Sequence, residues 1–224
     1  RLLARFGRWK ELAALLESQR ELDMTPESKA YAAFRLGTIR AWRLGLFREA
    51  QGPLELALGL APELPGLRLV IETVLAALGE KSPLAIRLAE HGRSAGTNRN
   101  AVGLLKSAAD LAGIDLNGSD EELLLAVLQL DPTELGAIER LEAQASTHAQ
   151  TVDLWKRRLS VADGDEAIEL RLALARALRF NEPQLALELA RETLATDETH
   201  YPALSLAAEL ASLVGQKETA CTLL

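Results

Sequence analysis

The sequence predicts an all-α protein built from consecutive pairs of antiparallel helices. Ala and Leu, both strong helix formers, dominate a chain of 224 residues that is 48% hydrophobic and only 4% aromatic. Apolar residues recur every three or four positions, which is the spacing of one helix face, and strand-like alternation of Val, Ile, Thr and Tyr is missing. The same features return about every 34 residues, as is typical of a helical repeat array.

One residue at the entry to the second helix of each pair marks the repeat. This marker is most often Ala, and Ala50 and Ala186 are separated by four steps of about 34 residues. The markers are Leu12, Ala50, Ala85, Asp120, Leu154, Ala186 and Ala220. A helix of about 12 residues is only about 18 Å long and cannot bury its apolar face alone, so we expect the pairs to stack.

Turn residues keep phase with the marker. Gly7, Gly45 and Gly215 precede it by five positions, where a glycine can end a helix in the left-handed conformation. Pro62 and Pro132 follow it by twelve. The pattern therefore predicts that each repeat consists of a helix, a short turn, a second helix and another short turn.

Small residues precede the marker by twelve positions in several repeats, where two helices are expected to approach closely. They are Thr38, Thr73, Ala108 and Ala208. Glu142 and Leu174 occupy the same place in two other repeats and depart from this rule.

Helix starts are predicted from capping residues. Thr25–Pro26 and Ser82–Pro83 place a hydroxyl before a proline at the first helical position. Residues 119–122 and 131–134 have the spacing of a capping box, and residues 162–167 are interpreted as a turn and helix cap.

Two segments of the chain resemble a known family. The segments AFRLGTIRAWRLGLFREAQGPLELALGLAP and YPALSLAAELASLVGQKETACTLL look like tetratricopeptide repeats. The resemblance implies a right-handed α-α superhelix, a solenoid whose concave groove is lined mainly by first helices. We expect one array of repeats at about 1–24 (partial), 31–64, 65–97, 100–132, 134–162, 167–198 and 201–224 (partial). The repeats within about 95–160 depart most from the pattern, because Asp120 and Leu154 replace the marker Ala.

Charge and composition narrow the classes of partner. The net charge of −7 disfavours nucleic acid, and no polar pair recurs at fixed positions as in repeats that read RNA. Charged residues and prolines interrupt the longest apolar region, 56–79, so we predict no direct membrane insertion in this segment. The chain begins inside an apparent helix and is interpreted as a piece of a longer protein. Its compartment, cytoplasmic or periplasmic, stays open.

Residue types that carry catalysis are present but not grouped along the chain. His91, His148 and His200 lie more than fifty residues apart without a partner at ligand spacing, and Cys221 is the single cysteine. Neither a phosphate-binding loop nor a dinucleotide fingerprint occurs. We therefore predict no enzyme, no catalytic residue, no metal site and no cofactor.

The groove offers a sharper hypothesis for partner binding. We expect four residues of one first helix to project toward the concave side. Four residues of a later helix have the same phase, and each set has an apolar centre between arginines. These residues are Arg35, Ile39, Trp42 and Arg43, and Arg171, Ala175, Leu178 and Arg179. This pattern suits a partner that bears carboxylates. The carboxylate-clamp pattern of chaperone-binding family members is missing, because no Asn or Lys lies between the arginines.

The function predicted is a non-catalytic scaffold that presents this groove to a protein or peptide partner within a larger assembly. The alternative is a regulatory domain that senses a ligand or peptide and controls an attached effector. An enzyme built on helical repeats is disfavoured and would need a deep polar pocket. The Ala-, Leu- and Arg-rich style suggests a bacterial protein.

Overall fold

A computed structural model of the chain describes residues 2–19, 25–95, 97–115 and 120–222. All regular structure among these residues is helical, which confirms the all-α prediction. The helices are α1 (Leu2–Arg5), α2 (Trp9–Gln19), α3 (Pro26–Leu44), α4 (Phe47–Leu60), α5 (Leu67–Leu78), α6 (Lys81–Arg93), α7 (Asn98–Asp115), α8 (Asp120–Leu130), α9 (Leu135–Gln144), α10 (His148–Leu159), α11 (Gly164–Leu178), α12 (Pro183–Thr196), α13 (Tyr201–Leu213) and α14 (Lys217–Thr222).

The chain divides into two compact bodies. The N-terminal body comprises residues 1–126 and the C-terminal body residues 127–224. Within each body a helix packs chiefly on the helices next to it in the chain. In the N-terminal body α4 packs on α3 and α5, and α6 packs on α5 and α7; in the C-terminal body α12 packs on α11 and α13. This is the contact pattern of a stacked repeat array.

The marker positions share one environment. All of them are buried, and each lies in an even-numbered helix. Leu12, Ala50 and Ala186 are the fourth residues of their helices, whereas Asp120 is the first residue of α8 and Leu154 the seventh of α10. The periodicity therefore tracks the buried side of the second helices, with a drift of register in the middle of the chain.

Leucine, alanine and branched aliphatic side chains form the core of the N-terminal body. Leu12 and Leu16 of α2 pack against Leu36 and Ile39 of α3. On the other side of α3 a second cluster joins α3, α4 and α5 around Leu54. Full burial of each such side chain contributes roughly 1.5–3 kcal/mol, so most of the stability of these short helices comes from packing on their neighbours.

Two glycines set the closest helix contacts in the N-terminal body. A Cβ built on Gly37 of α3 would lie 2.5 Å from Cγ of Leu54 and 3.3 Å from the carbonyl oxygen of Ala50 in α4. A Cβ on Gly92 of α6 would meet α7 in the same way, 2.9 Å from Cγ of Leu105. The same contact thus recurs inside one predicted repeat and between two.

The predicted close-contact positions agree only in part with this geometry. Ala108 and Ala208 are buried, as expected. The close approach at α3 falls on Gly37, one residue before Thr38. Thr73 is exposed, and its hydroxyl donates to the carbonyl of Leu69 within α5, so this prediction is wrong.

The predicted helix starts also agree only in part with the structure. Thr25 caps α3 and accepts a hydrogen bond from the backbone N–H of Ser28. The prediction at residues 82–83 is wrong, because α6 begins at Lys81. At residues 131–134 the capping side chain is Glu134, which accepts from the N–H of Ala137 at 2.8 Å. The predicted capping box at 119–122 includes Ser119, which lies outside the described residues.

Glu142, which departs from the small-residue rule, is held by an arginine. Its Oε2 lies 2.9 Å from Nη1 of Arg158 in α10, and the same guanidinium binds Glu166 of α11 at 2.7 Å. Hydrogen bonds to Glu166 and Glu142 raise the pKa of Arg158 above its usual value. One arginine therefore joins three consecutive helices of the C-terminal body.

We expect Gly37→Ala to destabilise the chain relative to Gly103→Ala. The overlap with Leu54 costs roughly 1–3 kcal/mol, whereas Gly103 lies in the middle of α7 with no atom within 4 Å of an added Cβ. Both changes gain about 1 kcal/mol of helix propensity. Urea denaturation followed by circular dichroism measures the difference, and equal midpoints for the two variants would contradict the close contact at Gly37.

We expect Arg158→Leu to lower the free energy of unfolding by roughly 1–3 kcal/mol, because the carboxylate of Glu142 loses its partner while mostly shielded from water. Arg157→Leu is the matched control. Arg157 forms an exposed pair with Asp153 one turn away in the same helix, worth at most about 0.5 kcal/mol. Adding Glu142→Gln to Arg158→Leu should recover part of the loss. Urea unfolding midpoints of the parent, the two single variants and the double variant measure these differences. A similar loss of stability in Arg158→Leu and Arg157→Leu would show that Arg158 has no special role.

Candidate functional site

The predicted groove residues of α3 separate into buried and exposed groups. Ile39 is only 7% exposed and packs in the core against α2, so the expectation of an exposed apolar centre at this residue is corrected. Trp42 is 53% exposed. The guanidinium of Arg43 lies 4.8 Å from the ring centroid of Trp9, which holds Arg43 against the end of α2.

Tyr31, Arg35 and Trp42 form a stripe on α3, in which both aromatic residues are exposed and Arg35 is half-buried. They are spaced by four and seven residues, which places them on one face of the helix. Tyr31 is 54% exposed, and the guanidinium of Arg35 lies 5.9 Å from its ring centroid. The stripe extends over about 16 Å of helix. The structure therefore presents two aromatic rings and an arginine on one surface.

The predicted residues of α11 serve the C-terminal body itself. Ala175 and Leu178 are buried in its core, so the structure corrects their assignment to an exposed groove. Arg171 pairs with Glu192 of α12 and Arg179 with Glu209 of α13, each at 3.4 Å. Both arginines thus bridge α11 to a neighbouring helix.

A largely apolar cavity with charged side chains in its wall lies between α5 and α6, and the sequence analysis missed it. Its volume is about 310 Å³. Arg68 and Glu72 lie one turn apart on α5, and Arg87 and His91 lie one turn apart on α6, so each helix turns one charged face to the cavity. The remaining lining residues are Leu58, Pro62, Ile71, Glu90 and Ser94.

Glu72 and His91 are directly bonded at this cavity. Nδ1 of His91 lies 2.7 Å from Oε1 of Glu72, and Glu72 is only 6% exposed. Burial raises the pKa of the Glu72 carboxyl, while the hydrogen bond from His91 and the charges of His91 and Arg68 lower it by a smaller amount. A carboxylate that accepts from Nδ1–H fixes the orientation of the imidazole and leaves Nε2 as the atom available to a ligand.

The sequence held a signal for this pair. Glu72 lies within LVIETVLAAL, where a single charged residue interrupts an apolar helix. Buried acidic residues are almost always paired. The partner could not be named from spacing alone, because His91 lies on the next helix.

Histidine residues elsewhere have other contacts. Nε2 of His148 lies 3.3 Å from the carbonyl oxygen of Ala177, and the Nδ1 atom of His200 accepts from the N–H of Ala203. Cys221 is exposed. Within the part of the chain that the structure describes, no group of three or more His, Cys, Asp or Glu side chains is placed to hold a metal ion. None of the described helices combines the length and apolar character needed to cross a bilayer.

Comparisons with known proteins add similarity at the level of solved structures. No family model matches the chain, and no curated protein matches it. A tetratricopeptide repeat protein from Parabacteroides merdae is 14% identical, with a TM-score of 0.39 over 88% of this chain and 77% of that one. A thermophilic protein of the same repeat class from Thermus thermophilus is 18% identical, with a TM-score of 0.31 over 83% of this chain and 98% of its own. The assembly chaperone of RpL4 is 15% identical, with a TM-score of 0.36 over 99% of this chain and 96% of its own.

Two of these three structures belong to the repeat class that the sequence resembles. No enzymatic family is indicated by these comparisons. Because each TM-score is below 0.5, the similarity says nothing about the partner of this chain.

We expect the pKa of Glu72 to appear as a pH dependence of stability. A folded-state pKa above the ordinary 4.5 means that the folded chain binds more protons than the unfolded chain immediately above that pH. The free energy of unfolding contributed by Glu72 therefore falls as the pH rises through this window. The parent should lose stability relative to Glu72→Gln over the pH range that begins at 4.5 and extends upward through the folded-state pKa. Urea unfolding of both chains across this range gives the difference, and a constant difference would contradict the shift.

Proposed function

We propose that the chain is a non-catalytic interaction scaffold whose exposed stripe on α3 binds an acidic segment of a protein partner. Tyr31 and Trp42 support this proposal, because each leaves more than half of a large aromatic side chain in water. Trp, Tyr and Arg are the residues most enriched at binding hot spots. Covering the two rings releases water from apolar surface, and this gives the binding its main driving force.

Arg35 supplies the charge that selects the partner. It lies between the two aromatic residues in the sequence of the stripe and projects beside Tyr31. A guanidinium can bind a carboxylate through two parallel hydrogen bonds, so it favours an acidic residue next to an apolar one in the partner. The stripe, about 16 Å long, spans about three turns of a bound helix.

The C-terminal arginines have a smaller part in this proposal than the sequence suggested. Arg171 and Arg179 each lie near a glutamate of an adjacent helix, so a partner would have to displace an existing ion pair. The surface on α3 is therefore the one to test. Binding by Arg171 and Arg179 stays a prediction.

A capture experiment from host lysate tests the surface, with the chain carrying Trp42→Ala and Arg35→Glu beside the parent. The control carries Ile86→Ala and Arg93→Glu on α6, where Ile86 is 55% exposed and so matches Trp42. Exposed substitutions of this kind change stability by less than about 0.5 kcal/mol. Circular dichroism and thermal midpoints confirm that all three chains are folded.

We expect a protein that the parent and the control retain and the α3 variant loses. Its acidic segment, made as a labelled peptide, should bind the parent at least about tenfold more tightly than the α3 variant, since each 1.4 kcal/mol of lost contact is a factor of ten. Equal retention by all three chains would remove the α3 stripe from the proposal. No retained protein would indicate that this segment is a spacer within its parent chain.

A further inference from the structure

The cavity between α5 and α6 adjoins a second one of about 270 Å³, and the two share four lining residues. These are Pro62, Arg68, His91 and Ser94. Leu58 and Ile71 line only the first cavity, which is the more apolar of the two. Basic and hydroxyl groups therefore lie where the two cavities meet, with an apolar wall on one side of them.

Most charges around this junction already have a partner. Arg87 binds Glu55 at 2.8 Å and Glu90 at 3.1 Å, and Glu72 binds His91. A ligand cation would therefore have to displace Arg87 or His91 from its carboxylate. Because the carboxylates of the cavity are already paired, they do not favour a cation as the ligand.

Arg68 is bound more weakly than the other charged residues of this junction. One of its nitrogens donates to Oγ of Ser94. Nη2 lies 3.7 Å from the carboxylate of Glu63, which is longer than a hydrogen bond, and the Glu63 side chain is almost fully exposed. Such a screened surface pair is worth little and gives way easily to a better-placed anion.

We propose that this cavity binds a small monocarboxylic acid with a short branched aliphatic chain. The carboxylate lies between Arg68 and Nε2 of His91, and the aliphatic part packs against Leu58, Pro62 and Ile71. Glu72 accepts a hydrogen bond from Nδ1–H of His91, and Nε2–H of the same ring donates to the bound carboxylate. The order of groups is then the carboxylate of Glu72, the imidazole of His91, the carboxylate of the ligand and the guanidinium of Arg68, so that acidic and basic groups alternate. This arrangement satisfies each charge in a partly dehydrated site.

The size and charge of the site select this class of ligand. A volume of about 310 Å³ lies at the lower end of small-molecule pockets. Arg68, whose ion pair with the exposed Glu63 is long, and the imidazole of His91 together match one carboxylate. A phosphate dianion would bring a second negative charge beside Glu72 and Glu90. This site is independent of the stripe on α3, and its test does not depend on the protein partner.

Isothermal titration of the full chain with 4-methylpentanoate tests the proposal. The matched ligand is 4-methylpentanamide, which has the same shape without the charge. The chain variants are Arg68→Gln and His91→Gln, and the control is Arg93→Gln, an exposed arginine of α6 outside both cavities. Circular dichroism verifies the fold of each variant.

We expect the acid to bind the parent and the Arg93→Gln control with the same affinity. The amide and the two cavity variants should each bind at least about tenfold more weakly, because a charge-assisted hydrogen bond is lost.

Three results with the acid and its amide would overturn the inference. The first is the absence of any heat of binding at about 10 mM acid, a concentration well above the dissociation constants of weak specific ligands. The others are equal affinity of the parent for the acid and its amide, and a loss of affinity in Arg93→Gln as large as that in the cavity variants. The amide comparison needs no substitution, so it decides the question even if a cavity variant fails to fold. A tetrapeptide that ends in leucine, titrated in parallel, distinguishes a chain terminus from a free acid. Tighter binding of the tetrapeptide would also overturn the assignment to a small molecule.

Discussion

The structure depends on one constraint, which is that each helix is short and needs a neighbouring helix to cover its apolar face. Leu54 and Leu105 show how the chain meets it, since each enters the space left by a glycine on the neighbouring helix. The packing unit is thus the contact between consecutive helices. It is the same whether those helices belong to one predicted repeat or to two. Helices of 10 to 19 residues between α2 and α13 become stable only as members of such a series.

Charged side chains enter this apolar framework at a few points, and two of these points link helices. Glu72 and His91 link α5 to α6, and Arg158 links α9, α10 and α11. A buried ion costs several kcal/mol to dehydrate unless its partner is well placed. These links therefore make the alignment of neighbouring helices more specific than aliphatic packing alone. The link between Glu72 and His91 also places polar groups in the wall of a cavity.

The helical fold could be predicted because it rests on local signals. The periodicity of Ala and Leu identified every buried marker, and Gly45 ends α3 with a φ of 69°, as its position in the repeat indicated. The site was harder to predict. Ile39 has the phase of an exposed residue in the family pattern, but here it is buried in one cluster with Leu12 and Leu16 of α2. The pairing of Glu72 with His91 depends on how two helices are set against each other, and the spacing of residues within one helix does not contain that information.

The bridge made by Arg158 bears on how an array of this kind changes during evolution. Repeat proteins lengthen and shorten by duplicating or deleting whole units, which requires that any unit can follow any other. The apolar contacts near α3 and α4 meet that requirement, because one aliphatic surface accepts another. The helices α9 to α11 do not, since a copy inserted between Glu142 and Arg158 would separate a shielded carboxylate from its counter-ion. Gene duplications are therefore expected to be tolerated near the start of this chain and eliminated near residue 150.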